Sequence, residues 1–203
     1  MKVITLADKN NFASNCYILV FEDSFSVIDP SVSYERAKME IPEISKLRAQ
    51  YVLLTHGHVD HFWHIQSYID AGCEVLVTEH DGLIAKDKTK NCALILNGIL
   101  YDYLGSYKAV ADGDTIQVGD TEFTVISTPG HTAGSVCYLS DRIMFTGDTL
   151  FARGSYGRYD LPSGSKTMLF NSLEKLFALD GDIMIYPGHG EISTLRDTKM
   201  FFI

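Results

Sequence analysis

Thr55-His56-Gly57-His58-Val59-Asp60-His61 follows the apolar run Tyr51-Val52-Leu53-Leu54. The run reads as a buried strand. Four side chains able to bind a metal then crowd into the turn beyond it: His56, His58, Asp60 and His61. A strand end has no structural need of such a cluster. Histidines and a carboxylate packed into a partly buried turn repel one another or stay unsatisfied unless they have a partner. A divalent cation is such a partner, because it coordinates imidazole nitrogen and carboxylate oxygen directly. His56 and His58 lie two apart and point the same way in an extended segment. Asp60 and His61, beyond the turn, face a second point. One loop is therefore able to serve two metals.

Three later stretches present the same kinds of side chain. Thr128-Pro129-Gly130-His131-Thr132-Ala133-Gly134-Ser135 places His131 on a rigid turn after a strand. Phe145-Thr146-Gly147-Asp148-Thr149-Leu150-Phe151 places Asp148 at a strand end. Tyr186-Pro187-Gly188-His189-Gly190 does the same for His189. Each ligand sits where an apolar strand opens into a glycine-rich turn, and active sites favour such places.

These motifs resemble the metallo-β-lactamase superfamily. The resemblance implies an α+β chain folded as a four-layer αβ/βα sandwich, with metals at the sheet edges between two halves. It implies that His56, His58 and His131 hold one divalent ion, that Asp60, His61 and His189 hold another, and that Asp148 bridges them. Zinc is the expected metal; iron and manganese suit the same donors. Asp60 and Asp148 are the candidate catalytic carboxylates, set against a hydroxide shared by the two ions. Asp29, in Asp29-Pro30-Ser31, stands where relatives place a carboxylate behind the metal loop. It also reads as a turn-capping residue.

From about Ser127 to Gly190 the text is similar to the glyoxalase II branch. Its most specific element is Gly157-Arg158-Tyr159-Asp160-Leu161-Pro162. Arg158 and Asp160 are expected to brace the loop after Asp148 through an ion pair. True metallo-β-lactamases usually carry a cysteine where this chain has Asp148, so antibiotic hydrolysis is not expected. Glyoxalase II enzymes continue into a helical domain that supplies much of their glutathione site, whereas only Glu191 to Ile203 follows the last turn here. The resemblance therefore implies a compact acyl-thioester hydrolase of the hydroxyacylglutathione hydrolase kind. The alternatives are a lactonase or other carboxylic ester hydrolase on the same ligands, and a persulfide dioxygenase using one iron.

At 46% hydrophobic and 21% charged, the composition is that of an ordinary globular protein. The 203 residues suit one domain with two similar halves, about 1–110 and 111–203. A net charge of −9 speaks against a general nucleic-acid binder. No apolar run approaches the ~20 residues of a membrane span. Met1 to Asp8 does not read as a signal peptide, so a cytoplasmic location is expected. Cys16, Cys73, Cys92 and Cys137 lie far apart and are expected to be free thiols, mainly in the core.

Strands are expected at residues 2–6, 15–21, 25–28, 51–54, 74–78, 115–118, 122–127, 135–139, 143–146 and 182–186. Helices are expected at 33–49 (divided by Pro42), 62–71, 79–86, 165–179 and 193–200. The 87–107 segment reads as a partly helical flap near the site, and its tyrosines are candidates for a pocket wall. His64, His80 and Trp63 fall outside the ligand pattern and read as structural.

Overall fold

A computed structural model of the chain describes residues 1–7, 13–103 and 105–202, with residue 97 by its backbone. Asp8, used in the leader reading, and Leu104, inside the flap, lie outside the described residues. The first half runs β1 (Lys2–Ala7), β2 (Asn15–Val20), β3 (Ser24–Ile28), α1 (Tyr34–Glu40), β4 (Arg48–Leu53), α2 (Val59–Phe62) and α3 (Ile65–Asp70). It continues with β5 (Glu74–Thr78), α4 (Glu79–Ala85), α5 (Ala93–Asn97) and β6 (Lys108–Val110). The second runs β7 (Thr115–Val118), β8 (Thr121–Ser127), β9 (Val136–Ser140), β10 (Ile143–Gly147), α6 (Lys166–Phe177), β11 (Met184–Pro187), β12 (Ser193–Thr194) and α7 (Leu195–Lys199). The strands form two six-stranded sheets, in the orders β1-β2-β3-β4-β5-β6 and β12-β11-β10-β9-β8-β7.

Strand alternation explains the layers. On β2, Cys16 and Ile18 pack with Ala37, Ile65 and Tyr68 of the helices outside the first sheet. Their neighbours Tyr17 and Leu19 pack with Phe123, Tyr138 and Phe145 of the second sheet. On the second sheet, Ile126, Cys137 and Met144 face Leu169, Leu173 and Leu176 of α6. Successive side chains point to opposite faces, and both faces are covered. That is why these strands read as unbroken apolar runs rather than as alternating ones. The result is helix, sheet, sheet, helix: the expected αβ/βα sandwich. The four cysteines are buried and unpaired, and none of the described helices is long and apolar enough to cross a membrane.

Strand direction puts the functional loops together. β3, β4 and β5 are mutually parallel, so the turns that follow them leave the same sheet edge. β8 and β10 both run antiparallel to β9, and β10 is parallel to β11. The turns after β8, β10 and β11 therefore leave one edge as well.

Several expected boundaries are corrected. The helix read over 33–49 ends at Glu40, Pro42 opens a separate 3₁₀ turn, and Arg48 and Ala49 are already strand. Proline lacks the N–H a continuing helix needs, and β4 takes Arg48 and Ala49 by pairing them with Ser24 and Phe25 of β3. The helix read over 62–71 is two: α2 begins at Val59, and the chain breaks at His64 before α3. The His64 N–H turns to the Pro30 carbonyl, 3.0 Å away. The last segment opens as β12, pairing with β11, before α7 begins. β6 has no counterpart among the expected strands, because its three residues carry too little pattern to announce one.

Candidate metal centre

The loop after β4 delivers His56 on a bend, His58 on extended backbone, and Asp60 and His61 on the first turn of α2. The turns after β8, β10 and β11 bring His131, Asp148 and His189 to the same place. His131 Nε2 lies 2.9 Å from His58 Nδ1 and 3.2 Å from His56 Nε2. His189 Nε2 lies 3.2 Å from Asp60 Oδ2, and His61 Nε2 lies 3.6 Å from the same oxygen. Between the two groups stands Asp148. Its Oδ1 is 3.3 Å from His61 Nε2 and 3.7 Å from His189 Nε2, and its Oδ2 is 3.6 Å from His131 Nε2.

The imidazoles are aimed from behind. Asp29 is buried, with φ +52, and Thr55 donates to it from its N–H and its hydroxyl, at 2.9 and 2.7 Å. The same carboxylate takes the Nδ1 proton of His61 at 2.8 Å, leaving His61 Nε2 facing Asp60 and Asp148. With its own proton committed to Asp29, the Thr55 hydroxyl accepts from His56 Nδ1 at 3.1 Å. His131 donates Nδ1 to the Arg158 carbonyl at 2.7 Å. A hydrogen bond on one ring nitrogen fixes which nitrogen is free to coordinate. Gly157 and Gly188 allow the close approach: a Cβ on Gly157 would collide with the Asp148 carbonyl, and one on Gly188 with the Asp148 carboxylate.

These side chains fit a cation. Three imidazole nitrogens converge in the first group, with too few protons to satisfy one another. His58 Nε2, His61 Nε2 and Asp148 Oδ1 are buried without a hydrogen-bond partner among the described residues. Such groups are rare unless something binds them. Burial, then the neighbouring imidazoles, holds His56 well below its ordinary 6.5. Burial and then His131 take His58 down to about 3. The second group behaves oppositely. Burial would lower His61 and His189, but Asp29, Asp60 and Asp148 outweigh it for His61, and Asp148 and Asp60 do so for His189, raising both. Burial works against ionisation of Asp60 and Asp148, yet the facing histidines keep both anionic.

Comparison with known proteins agrees with this geometry. The family model of the metallo-beta-lactamase superfamily matches residues 10–189. The chain belongs to the metallo-beta-lactamase superfamily. It is 35% identical over 188 residues to a hydroxyacylglutathione hydrolase of Francisella tularensis, a match covering 89% of this chain and 64% of that protein. The crystal structure of BLEG-1 B3 metallo-beta-lactamase superposes with a TM-score of 0.85 at 27% identity, covering 98% of this chain and 95% of that one. That of TTHA1623 in a di-iron-bound form gives 0.81 at 27% identity and covers both chains fully, 100% each. These relatives differ in named activity, so likeness establishes the superfamily and its fold, not one reaction.

Within this metallo-beta-lactamase fold, the other candidate residues separate. Arg158 and Asp160 form an exposed two-pronged ion pair, both contacts 2.9 Å. Arg158 reaches the centre through its main chain, where His131 is held. Trp63 packs on Tyr101, ring centroids 5.0 Å apart, and His80 is exposed. The flap's tyrosines do not line the metal pocket: Tyr101, Tyr103 and Tyr107 pack against the first core. A cavity of about 270 Å³ over the centre takes Cys92, Ile95 and Leu96 from the flap instead.

Sequence reasoning missed Asp81. It is fully buried, and its carboxylate accepts from the Gly57 N–H at 3.0 Å, the Gly134 N–H at 3.1 Å and the Thr132 hydroxyl at 2.5 Å. It therefore ties the His56–His58 loop to the His131 turn. Burial raises its pKa, against those three donors. Thr78-Glu79-His80-Asp81 looks like an ordinary helix start, and Thr78 does cap α4. That local reading hid the long-range role.

Proposed function

We propose that the chain is a metal-dependent hydrolase of acyl thioesters, acting on a small molecule at the centre built by His56, His58, Asp60, His61, His131, Asp148 and His189. The reading rests on Asp148, whose two oxygens face two different histidine groups. A carboxylate so disposed suits two divalent cations side by side. Zinc is the leading choice, and the di-iron form of TTHA1623 makes iron a direct competitor. Such ions, when bound, supply Lewis acidity and lower the pKa of water from 15.7 toward about 7.

The chain's own residues do the rest. His56, His58 and His131 offer neutral nitrogens on one side. Asp60 borders the cavity, where its carboxylate would accept a hydrogen bond from the attacking water. The water oxygen adds to the carbonyl carbon, the carbon–sulfur bond breaks, and its electron pair leaves on sulfur. A carboxylate and a thiolate result, the two protons of the water pass to solvent, and the released thiolate is reprotonated there. With a thiol pKa of about 8.5, the thiolate departs without a proton donor. That matches a centre whose carboxylates, Asp60 and Asp148, are both anionic.

The test is metal analysis of protein purified without added metal, paired with turnover of S-lactoylglutathione and uncharged acyl thioesters. About two equivalents of metal and chelator-sensitive hydrolysis are expected. Absence of metal-dependent hydrolysis of every thioester would sink the proposal. A lactone rate above the best thioester rate would move it to ester hydrolysis on the same residues.

A further inference from the structure

We infer that the cavity over the metal centre carries an apolar acyl-chain subsite built on the α5 flap. Its preferred substrates are uncharged thioesters of medium-length aliphatic acids, not thioesters of an anionic tripeptide. The inference deepens the hydrolase reading and rests on it. The first observation is continuity. The cavity that opens on His58, Asp60 and Asp148 is walled by Ile95 and Leu96 of α5 and by Phe151 and Leu161 from the other half. A group placed against His58, Asp60 and Asp148 therefore shares one cavity with those apolar walls.

The second observation is what the flap does with its apolar side chains. Ala93 of α5 is buried and Leu96 half-buried, yet Leu94 is 58% and Ile95 64% exposed, followed by exposed Ile99 and Leu100. A free segment with that composition would fold its side chains away. This one is pinned. The Asn91 side chain donates to the Ala85 and Tyr101 carbonyls at 3.2 and 2.6 Å and accepts from the Ala93 N–H at 3.0 Å. The Asn91 carbonyl accepts from the Val59 N–H, at 2.9 Å, at the start of the helix bearing Asp60 and His61. Ile95 and Leu96 are thus held on the wall of the metal cavity.

The third observation is charge. Glutathione brings two carboxylates, and their recognition calls for cations. Apart from the histidines of the metal centre, the described cavity wall holds one basic side chain, Arg158, whose Nε and one Nη are committed to Asp160. The chain as a whole carries −9. At about 270 Å³ the cavity is also smaller than the roughly 300–1,000 Å³ of sites that enclose drug-sized ligands. A flexible aliphatic chain fits these walls better than a charged tripeptide.

The experiment uses the full, metal-loaded chain and a series of N-acetylcysteamine thioesters from acetyl to octanoyl. kcat/KM is expected to rise about fourfold for each methylene that reaches the flap, and octanoyl to exceed S-lactoylglutathione. Ile95→Asp, at an exposed position, is expected to flatten the series. Met39→Asp, an exposed apolar position on α1, is expected to keep the slope. A flat profile in the natural chain, an unchanged slope in Ile95→Asp, or preference for S-lactoylglutathione overturns the inference. Calorimetric binding of the non-hydrolysable octyl thioether of N-acetylcysteamine separates the two readings. Tenfold tighter binding than the ethyl thioether, lost in Ile95→Asp, supports the subsite even where no thioester is turned over and the hydrolase reading fails. Equal binding of the two thioethers overturns the subsite whatever the activity.

Discussion

The centre is governed by protons as much as by metals. His58 takes a proton near pH 3 in the folded chain, because burial and then His131 oppose its charge; in the unfolded chain it does so near 6.5. Between those values the unfolded state binds more protons, so this residue's contribution to stability is complete above about 6.5 and is lost as pH falls toward 3. In metal-free protein, the stability advantage of the natural chain over His58→Asn is expected to shrink by up to about 1.36 kcal/mol per pH unit inside that window. Denaturant titrations at several pH values measure it, and a gap independent of pH would contradict the assignment. Asp81 offers a second test at this scale. Asp81→Ala leaves the Gly57 and Gly134 N–H groups and the Thr132 hydroxyl without their buried acceptor. A loss of about 1–3 kcal/mol is expected, read as a lower denaturant midpoint at unchanged slope. The ligand types were legible from spacing alone, because four donors in one short loop have no other use. The residues that aim them were less so. The Arg158 carbonyl behind His131 has no side-chain signature, and Asp81 looks like a helix-start residue.

Among the elements, the first strand pair reaches across the molecule to its last turn. Asn15, at the start of β2, donates its side-chain amide to the Pro187 and Gly190 carbonyls, each 3.0 Å away. Its backbone N–H reaches the Gly188 carbonyl at 2.6 Å. His189 sits inside that clamp. Asn15→Ala keeps the backbone contact and the Tyr17 hydroxyl on Pro187 at 2.6 Å, so only about 1 kcal/mol of stability should go. Affinity for the second cation should fall by roughly 10–100-fold, as for other groups that hold a ligand from behind, while the His56–His58–His131 group keeps its own. Stepwise metal titration with a chromophoric chelator checks this; equal loss at both groups would refute it. Strands with both faces buried were readable as apolar runs. Several of the boundaries that failed were decided by pairing. Arg48 and Ala49 carry a helical pattern but are drawn into β4 by β3, and β6 exists because β5 offers an edge.

For the whole molecule, the consequence is that metal and fold are linked. The seven candidate ligands come from both sheets and meet between them, so a cation bound there ties the two halves. A ligand present at 100 times its Kd stabilises the folded chain by about 2.7 kcal/mol. Chelation is therefore expected to lower the thermal midpoint and readdition to restore it, with Asp148→Asn losing most of the shift because Asp148 faces both groups. Scanning calorimetry of loaded and stripped protein reads it directly, and identical midpoints would show that the centre is not coupled to folding. The chain's order of residues determined the superfamily, the candidate ligands and the strands other than β6 and β12, since donor chemistry and alternation are local properties. Tertiary structure decided the rest: which donors face one another, which carboxylate stands between two groups, and which flap side chains border the cavity. Those follow from parallel strand ends sharing an edge and from contacts between residues up to 175 positions apart, distances at which a local pattern carries no signal.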